Sequence, residues 1–336
     1  MLFRSDFLGA ALLAVFTTTF MLAILWARPA YGDAAPETLG LYALSLVLVA
    51  AFVFQERRHP EAILPLFLFR NRQFVQANLI VMAIGGGIFA SIQYLPMFVQ
   101  TSLGTSATMS GLIATPQSVG VAMTSIIGGQ LASRTGRYKR MVVVGAVAVL
   151  LGTAGMLTLT VGSNPAMIAV FMGAIGLGLG FVLPLMSTLV QNSVPQELMG
   201  VASSARQFFM SVVQVLGVAI LGVIFTTGFA NAFRVQPVDR AEVPAAVYEQ
   251  FLDPTLPLDP GRFTAVRSGL QKQPGGEALL GRLAEAQRTA MSVATHRLFI
   301  ATTGIAVLLL IFAVTLHEVP LRRSFGTPSA PTPDHP

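Results

Sequence analysis

The sequence has no cysteine, one tryptophan and four histidines, and only 11% of its 336 residues are charged. The absence of cysteine excludes disulfides, thiol nucleophiles and thiolate-ligated zinc. The histidines (His59, His296, His317 and His335) are scattered outside the centres of the apolar runs, so neither a metal site nor a cofactor is expected. Soluble domains carry about 25% charged residues. This deficit, together with 54% hydrophobic residues, places the chain in the membrane class. Acids are missing from the interiors of all the apolar runs. They sit at run ends (Asp6, Glu37, Glu56, Glu197, Glu318) or in one long polar segment. An intramembrane proton relay needs a titratable group at depth, and this chain supplies no good carrier. No nucleophile–base constellation stands out either, so an enzyme is not expected.

What is present is a series of long apolar runs. A bilayer span needs about 20 mostly apolar residues, and eight runs qualify: 7–27, 38–55, 74–98, 108–132, 141–162, 165–190, 201–228 and 297–316. The first resembles a signal peptide in having Arg4 ahead of it, but its 21 residues exceed a signal core, which runs about 7–15. The fold class expected is all-α integral membrane.

Orientation follows from the short loops. Arg57, Arg58, Arg70 and Arg72 lie in 56–73, a basic cluster lies in 133–140, and Arg322 and Arg323 follow the last run. These fall on one side if the runs alternate, while 99–107 carries no charge. Positive loops stay cytoplasmic, so both termini are expected inside. The same distribution accounts for the net charge of +6 without invoking nucleic acid. Segment 229–296 is long, polar and expected outside. Residues 242–252 and 277–291 have helical spacing, punctuated by Pro254, Pro257, Pro260 and Pro274-Gly275-Gly276. Two readings stay open, a loosely packed cap or an interfacial gating helix. Residues 326–336 read as a disordered tail.

Neutral polar residues recur at helical spacing inside the runs. Asn78, Met82, Gly86, Phe89, Gln93, Met97 and Gln100 form one stripe, Ser110, Gln117, Thr124 and Gly128 a second, and Ser203, Gln207, Ser211 and Gln214 a third. Lipid disfavours amides, so these faces should meet protein or a water-filled cavity. One reading is interhelical hydrogen bonding at about 0.6–2 kcal/mol each. The other is a cavity lined by Phe89, Gln93, Met97, Gln117 and Gln214, suited to amphiphilic cargo because methionine adapts to varied shapes. Gly173, Gly176, Gly180 and Pro184 share a stripe in the sixth run and read as a packed hinge. Arg206, about one turn into the seventh run, either snorkels to the cytoplasmic face or holds a gate or an anionic headgroup.

Residues 129–140, GQLASRTGRYKR, resemble the G-x-L-A-D-R-x-G-R-[KR] loop of the major facilitator superfamily: Gly129, Leu131, Ala132, Arg134, Gly136 and Arg137 match, and Ser133 replaces the acid. Residues 56–74, 94–116 and 176–219 resemble the fourteen-span EmrB/QacA branch of drug:proton antiporters through Pro65, Phe69, Arg70, Arg72, Pro96, Gln100, Gly104, Gly111, Pro116 and the run GLGLGFVLP. The resemblance implies two linker helices and a cytoplasmic link (1–73), a C-terminal six-helix bundle (74–316) and a cytoplasmic tail (317–336). It also implies that the N-terminal six-helix domain must come in cis or trans. Gly129, Arg134, Gly136 and Arg137 are then a conformational latch, and the whole transporter an exporter of amphiphilic drugs or lipid-like molecules in the bacterial cytoplasmic membrane. A fragment alone is expected to be inactive. The alternatives are a non-transporting module that binds lipid or a partner, and a truncated gene product. The branch often has paired glycines where Val213 and Gln214 stand, which puts close packing of that helix in question.

Overall fold

The structure, a computed structural model, describes residues 6–32, 34–59, 64–238, 243–272 and 275–318. The expected tail 326–336 lies outside them. The described residues are helical throughout, with connecting turns. Among the described residues, eight helices are long and apolar enough to span a membrane: α1 (Phe7–Ala27), α2 (Pro36–Arg58), α3 (Arg72–Ser102), α4 (Ala107–Thr135), α5 (Lys139–Thr158), α6 (Pro165–Asn192), α7 (Met199–Arg234) and α10 (Gly276–Thr315). Between α7 and α10 lie two short helices, α8 (Ala245–Phe251) and α9 (Pro260–Gln271).

The helix ends are set by local chemistry. Asn71 Oδ1 accepts from the amides of Gln73 and Phe74, the Ser106 hydroxyl from Met109, and Asn164 Oδ1 from Ala166. Each satisfies an orphan donor of a first turn. At the other end of α4, Gly136 adopts φ +67°, and its amide closes on the Ala132 carbonyl. That left-handed cap requires glycine at low cost, which explains Gly136 in the basic turn.

Helices α1 and α2 form an antiparallel hairpin. The end of the hairpin that holds the start of α1 and the end of α2 contains two buried carboxylates: Asp6 caps α1 and accepts from Gln55 at 3.1 Å, and Glu56 accepts from the Leu64 amide. The other six spans form one bundle in which α4 and α5 pack on α6, α7 and α10 pack on α3 and on each other, and α5 packs on α10. Glycines let these helices touch backbone to backbone. A Cβ added at Gly176 would enter the Gln117 backbone, and one at Gly217 would enter the Gly86 backbone.

The third span is not a uniform helix. Residues Ile84–Phe89 form a π-helical segment containing Gly85, Gly86 and Gly87, and a turn at Gln93–Tyr94 precedes Pro96. A Cβ at Gly85 would lie 2.9 Å from the Met210 carbonyl oxygen of α7, and one at Gly87 would collide with Ile305 of α10. Close packing of α7 is therefore present. The glycines questioned at 213 and 214 are supplied instead by the facing helix and by Gly217.

Helices α7 and α10 contain 36 and 40 residues, hence lengths of about 54 and 60 Å against a hydrocarbon core of about 30 Å. Both run on beyond the bilayer into segment 229–296. There Phe229, Phe233, Tyr248, Phe251, Leu256, Val266, Leu270, Leu279 and Leu283 are all buried. The described part of the segment is a packed helical cap whose apolar side chains continue the core of the bundle, and it is not loosely packed. Sequence spacing indicated helices near 242–252 and 277–291; the structure adds α9, opened by Asp259 as N-cap and Pro260 in the first turn. Within the cap, burial pushes the Asp253 carboxyl up, but the Thr255 hydroxyl and amide and Arg262 at 3.0 Å together hold it below the usual carboxylate value.

Charge asymmetry predicts that the cap and the 133–140 turn lie on opposite sides. Single cysteines at the exposed positions Thr135 and Ser268 can be labelled in intact cells with an impermeant thiol reagent, against a cysteine-free background. Position 268 should label and position 135 should not. The reverse pattern would invert the topology.

Candidate functional site

The residues proposed from sequence fall into two groups. Phe89, Gln93 and Met97 lie on the C-terminal half of α3, and Gln214 on the adjacent α7. Tyr94 fixes the level at which these helices meet. Its hydroxyl donates to the Val218 carbonyl at 2.7 Å and its ring lies 5.2 Å from that of Phe225. Gly222 leaves room for it, since a Cβ there would lie 2.5 Å from the Tyr94 oxygen. Gln214 is one helical turn before Val218, so Gln93 and Gln214 occupy neighbouring turns of touching helices. Gln117 is set apart: it sits on α4 at the crossing with α6, where Gly176 meets its backbone.

Gln93 is exposed, Gln117 and Gln214 are half-buried, and Phe89 and Met97 pack against the core from its edge. None of the amides of Gln93, Gln117, Gln207 and Gln214 makes a hydrogen bond among the described residues. This distinguishes them from Gln191, which donates to Ser203 across α6 and α7 at 3.1 Å, and from Asn78, which is buried and donates to its own helix at Phe74. The third-run stripe therefore does not share one face. The π-helical segment and the turn at 93–94 change the register between Asn78 and Gln93. In the α4 stripe, Ser110 and Thr124 bond back to Ser106 and Gly120 of their own helix, and Gly128 packs against Phe181.

In the basic turn, Arg134 and Arg137 are exposed and meet no acid or carbonyl among the described residues. The Thr135 hydroxyl organises the turn, donating to Leu131 and accepting from the Arg137 amide. Gly129 has no atom within 4 Å of a would-be Cβ, so no close approach is made there, and Gly136 supplies the left-handed cap of the turn. Tyr138, next in sequence, is buried and donates to the His317 carbonyl at 3.0 Å, tying the turn to the end of α10.

Helix α6 passes through Pro184 without interruption. Gly176 and Gly180 both press against α4, Gly180 meeting Val121 and Thr124, while a Cβ added at Gly173 would lie 3.6 Å from the Pro116 side chain. Sequence reasoning missed Tyr94 and the Gly85–Gly87 run. A tyrosine inside an apolar run needs a partner for its hydroxyl, and that signal was available.

The arrangement offers unpaired amides beside aromatic and thioether surface on a six-span bundle. The chain is 34% identical over 226 residues to the multidrug transporter protein MdtP of Bacillus subtilis (67% of this chain, 42% of that protein). It is 29% identical over 228 residues to multidrug resistance protein 3 of the same organism (68% and 44%). It is 32% identical over 259 residues to a tetracycline resistance determinant of Streptomyces rimosus (76% and 72%). The chain thus spans less than half the length of the two Bacillus relatives. Residues 2–218 match the model of the Major Facilitator Superfamily, the family to which this chain belongs.

Proposed function

We propose that the chain is the C-terminal part of an efflux carrier for amphiphilic small molecules, of the fourteen-span drug:proton antiport type. The observation that carries the reading is the pair of unbonded amides at Gln93 and Gln214, beside Phe89 and Met97, with the unbonded amide of Gln117 standing apart on α4. Amides serving only as interhelical glue would be hydrogen-bonded. Free amides next to adaptable apolar surface suit cargo of varied shape.

In this reading the cargo site lies near the midplane, between this bundle and a second six-helix body supplied in cis or trans. Gly176, Gly180 and Pro184 form the hinge at which α6 rocks against α4, and Gly129, Arg134, Gly136 and Arg137 form the latch that engages the second body. Arg134 and Arg137, unpaired here, are free to do so. Proton coupling then depends on an acid from the second body, because the spans of this chain carry none in their apolar parts. The chain alone is inactive as a pump, and the family resemblance favours a carrier over an enzyme.

The test uses a transporter completed with a six-helix domain. Gln93→Leu and Gln214→Leu should each shift the ratio of resistance between a cationic dye and tetracycline by about three- to tenfold, the value of one lost hydrogen bond, with abundance in the membrane unchanged. Reduced abundance with an unaltered ratio would show that these amides are structural.

A further inference from the structure

Along one flank of the bundle, α3, α7 and α10 enclose a groove of about 360 Å³. Leu79, Met82, Val213, Ile220, Leu308 and Phe312 wall it, no polar side chain lines it, and Gly86, Gly87 and Gly217 deepen its floor. Leu79, Ile220 and Leu308 at its rim are exposed. Beyond Leu79 and Phe312, Gln76 of α3 ties to the end of α10, donating to the Thr315 carbonyl at 3.1 Å and accepting from the His317 amide at 3.4 Å.

The α7 face that lines the groove at 213, 217 and 220 recurs one and two turns earlier, at Met210 and Arg206. Arg206 is thus on the groove face, about 10 Å along the axis from Val213. Its Nε is buried with no acceptor, and the guanidinium has no hydrogen-bond or ion-pair partner among the described residues. A lone arginine in a membrane-embedded helix is costly, and its planar fork matches a phosphate oxyanion. An apolar slot with an unpaired guanidinium about 10 Å beyond it along the same helix face suits a molecule with a methylene tail and an anionic head. A protein helix, about 10 Å across, would bridge the rim rather than enter a groove of about 360 Å³.

We propose that this groove is a binding site for one anionic phospholipid of the cytoplasmic leaflet, with an acyl chain between α7 and α10 and its phosphate on Arg206. The leaflet follows from the positive loops at the same end of the bundle. The site is separate from the amides at Gln93 and Gln214 and does not depend on the cargo they serve.

Native mass spectrometry of the purified 336-residue chain, titrated with dioleoylphosphatidylglycerol or dioleoylphosphatidylcholine, tests this directly. The anionic lipid should bind about tenfold more tightly than the zwitterionic one. Arg206→Gln should erase that preference. Arg72→Gln, which removes an exposed cation at the same end of the bundle, should keep it. Ala83→Phe and Leu308→Trp, which fill the groove at floor and rim, should weaken both lipids about tenfold; thermal midpoints in phosphatidylcholine confirm that each variant folds. Equal losses in Arg206→Gln and Arg72→Gln would reduce the effect to diffuse surface charge and overturn the proposal. So would unchanged lipid binding in the filled variants, or a groove found occupied by a second copy in a Leu308→Cys cross-linking experiment.

Discussion

Gly176→Leu should yield no folded bundle, and Gly176→Ala should lower the thermal midpoint by about 5–10 °C. Overpacking a well-packed site costs about 1–3 kcal/mol when side chains can yield, and 1 kcal/mol moves the midpoint of a chain somewhat smaller than this one by about 2–4 °C. Here the added carbon meets the Gln117 backbone of α4, which has no rotamer to change. The two helices must separate along their main contact, and leucine cannot be accommodated by a shift of a few tenths of an ångström. The matched control is Gly129→Ala on α4, where nothing lies within 4 Å; its midpoint should not change. Fluorescence-detected size exclusion gives the folded fraction, and a thermal ramp gives the midpoint. A stable Gly176→Leu protein would mean that α4 and α6 do not pack as described.

Gly176 also shows what could be read in advance. Its place on a small-residue stripe was visible from spacing, and so were the eight spans, because each presents about 20 apolar residues in a row. Partnership between helices was not visible. The missing glycines at Val213 and Gln214 looked like a loss of close packing, yet the facing Gly85–Gly87 run restores it, a property of the pair rather than of either sequence. The stripe from Asn78 to Gln100 assumed one continuous helical period. The π-helical segment Ile84–Phe89 breaks that assumption, burying Asn78 and exposing Gln93. Gln117 looked equivalent to Gln214 in depth but belongs to a helix that packs on α6. Helical spacing over 277–291 was legible, but its continuity with the 297–316 span was not, because polar residues such as Gln287, Arg288 and His296 end the hydropathy signal while the helix continues.

The central claim is that this six-span bundle and its α1–α2 hairpin supply one half of a pump. Alternating access needs two bodies moving around a shared site, and the proton must be carried by a group that titrates within the membrane. No Asp or Glu lies in the apolar part of any span, and the buried Asp6 and Glu56 are fixed at the end of the hairpin as a helix cap and a loop anchor. A homodimer would add a second wall but still no acid at depth. The direct measurement is uptake of a lipophilic cationic dye into proteoliposomes under an imposed pH gradient, comparing the 336-residue chain with the same chain joined to a six-helix domain from a related exporter. The joined protein should accumulate dye as long as the gradient lasts, and the chain alone should match empty vesicles. Gradient-dependent accumulation by the chain alone would contradict the account.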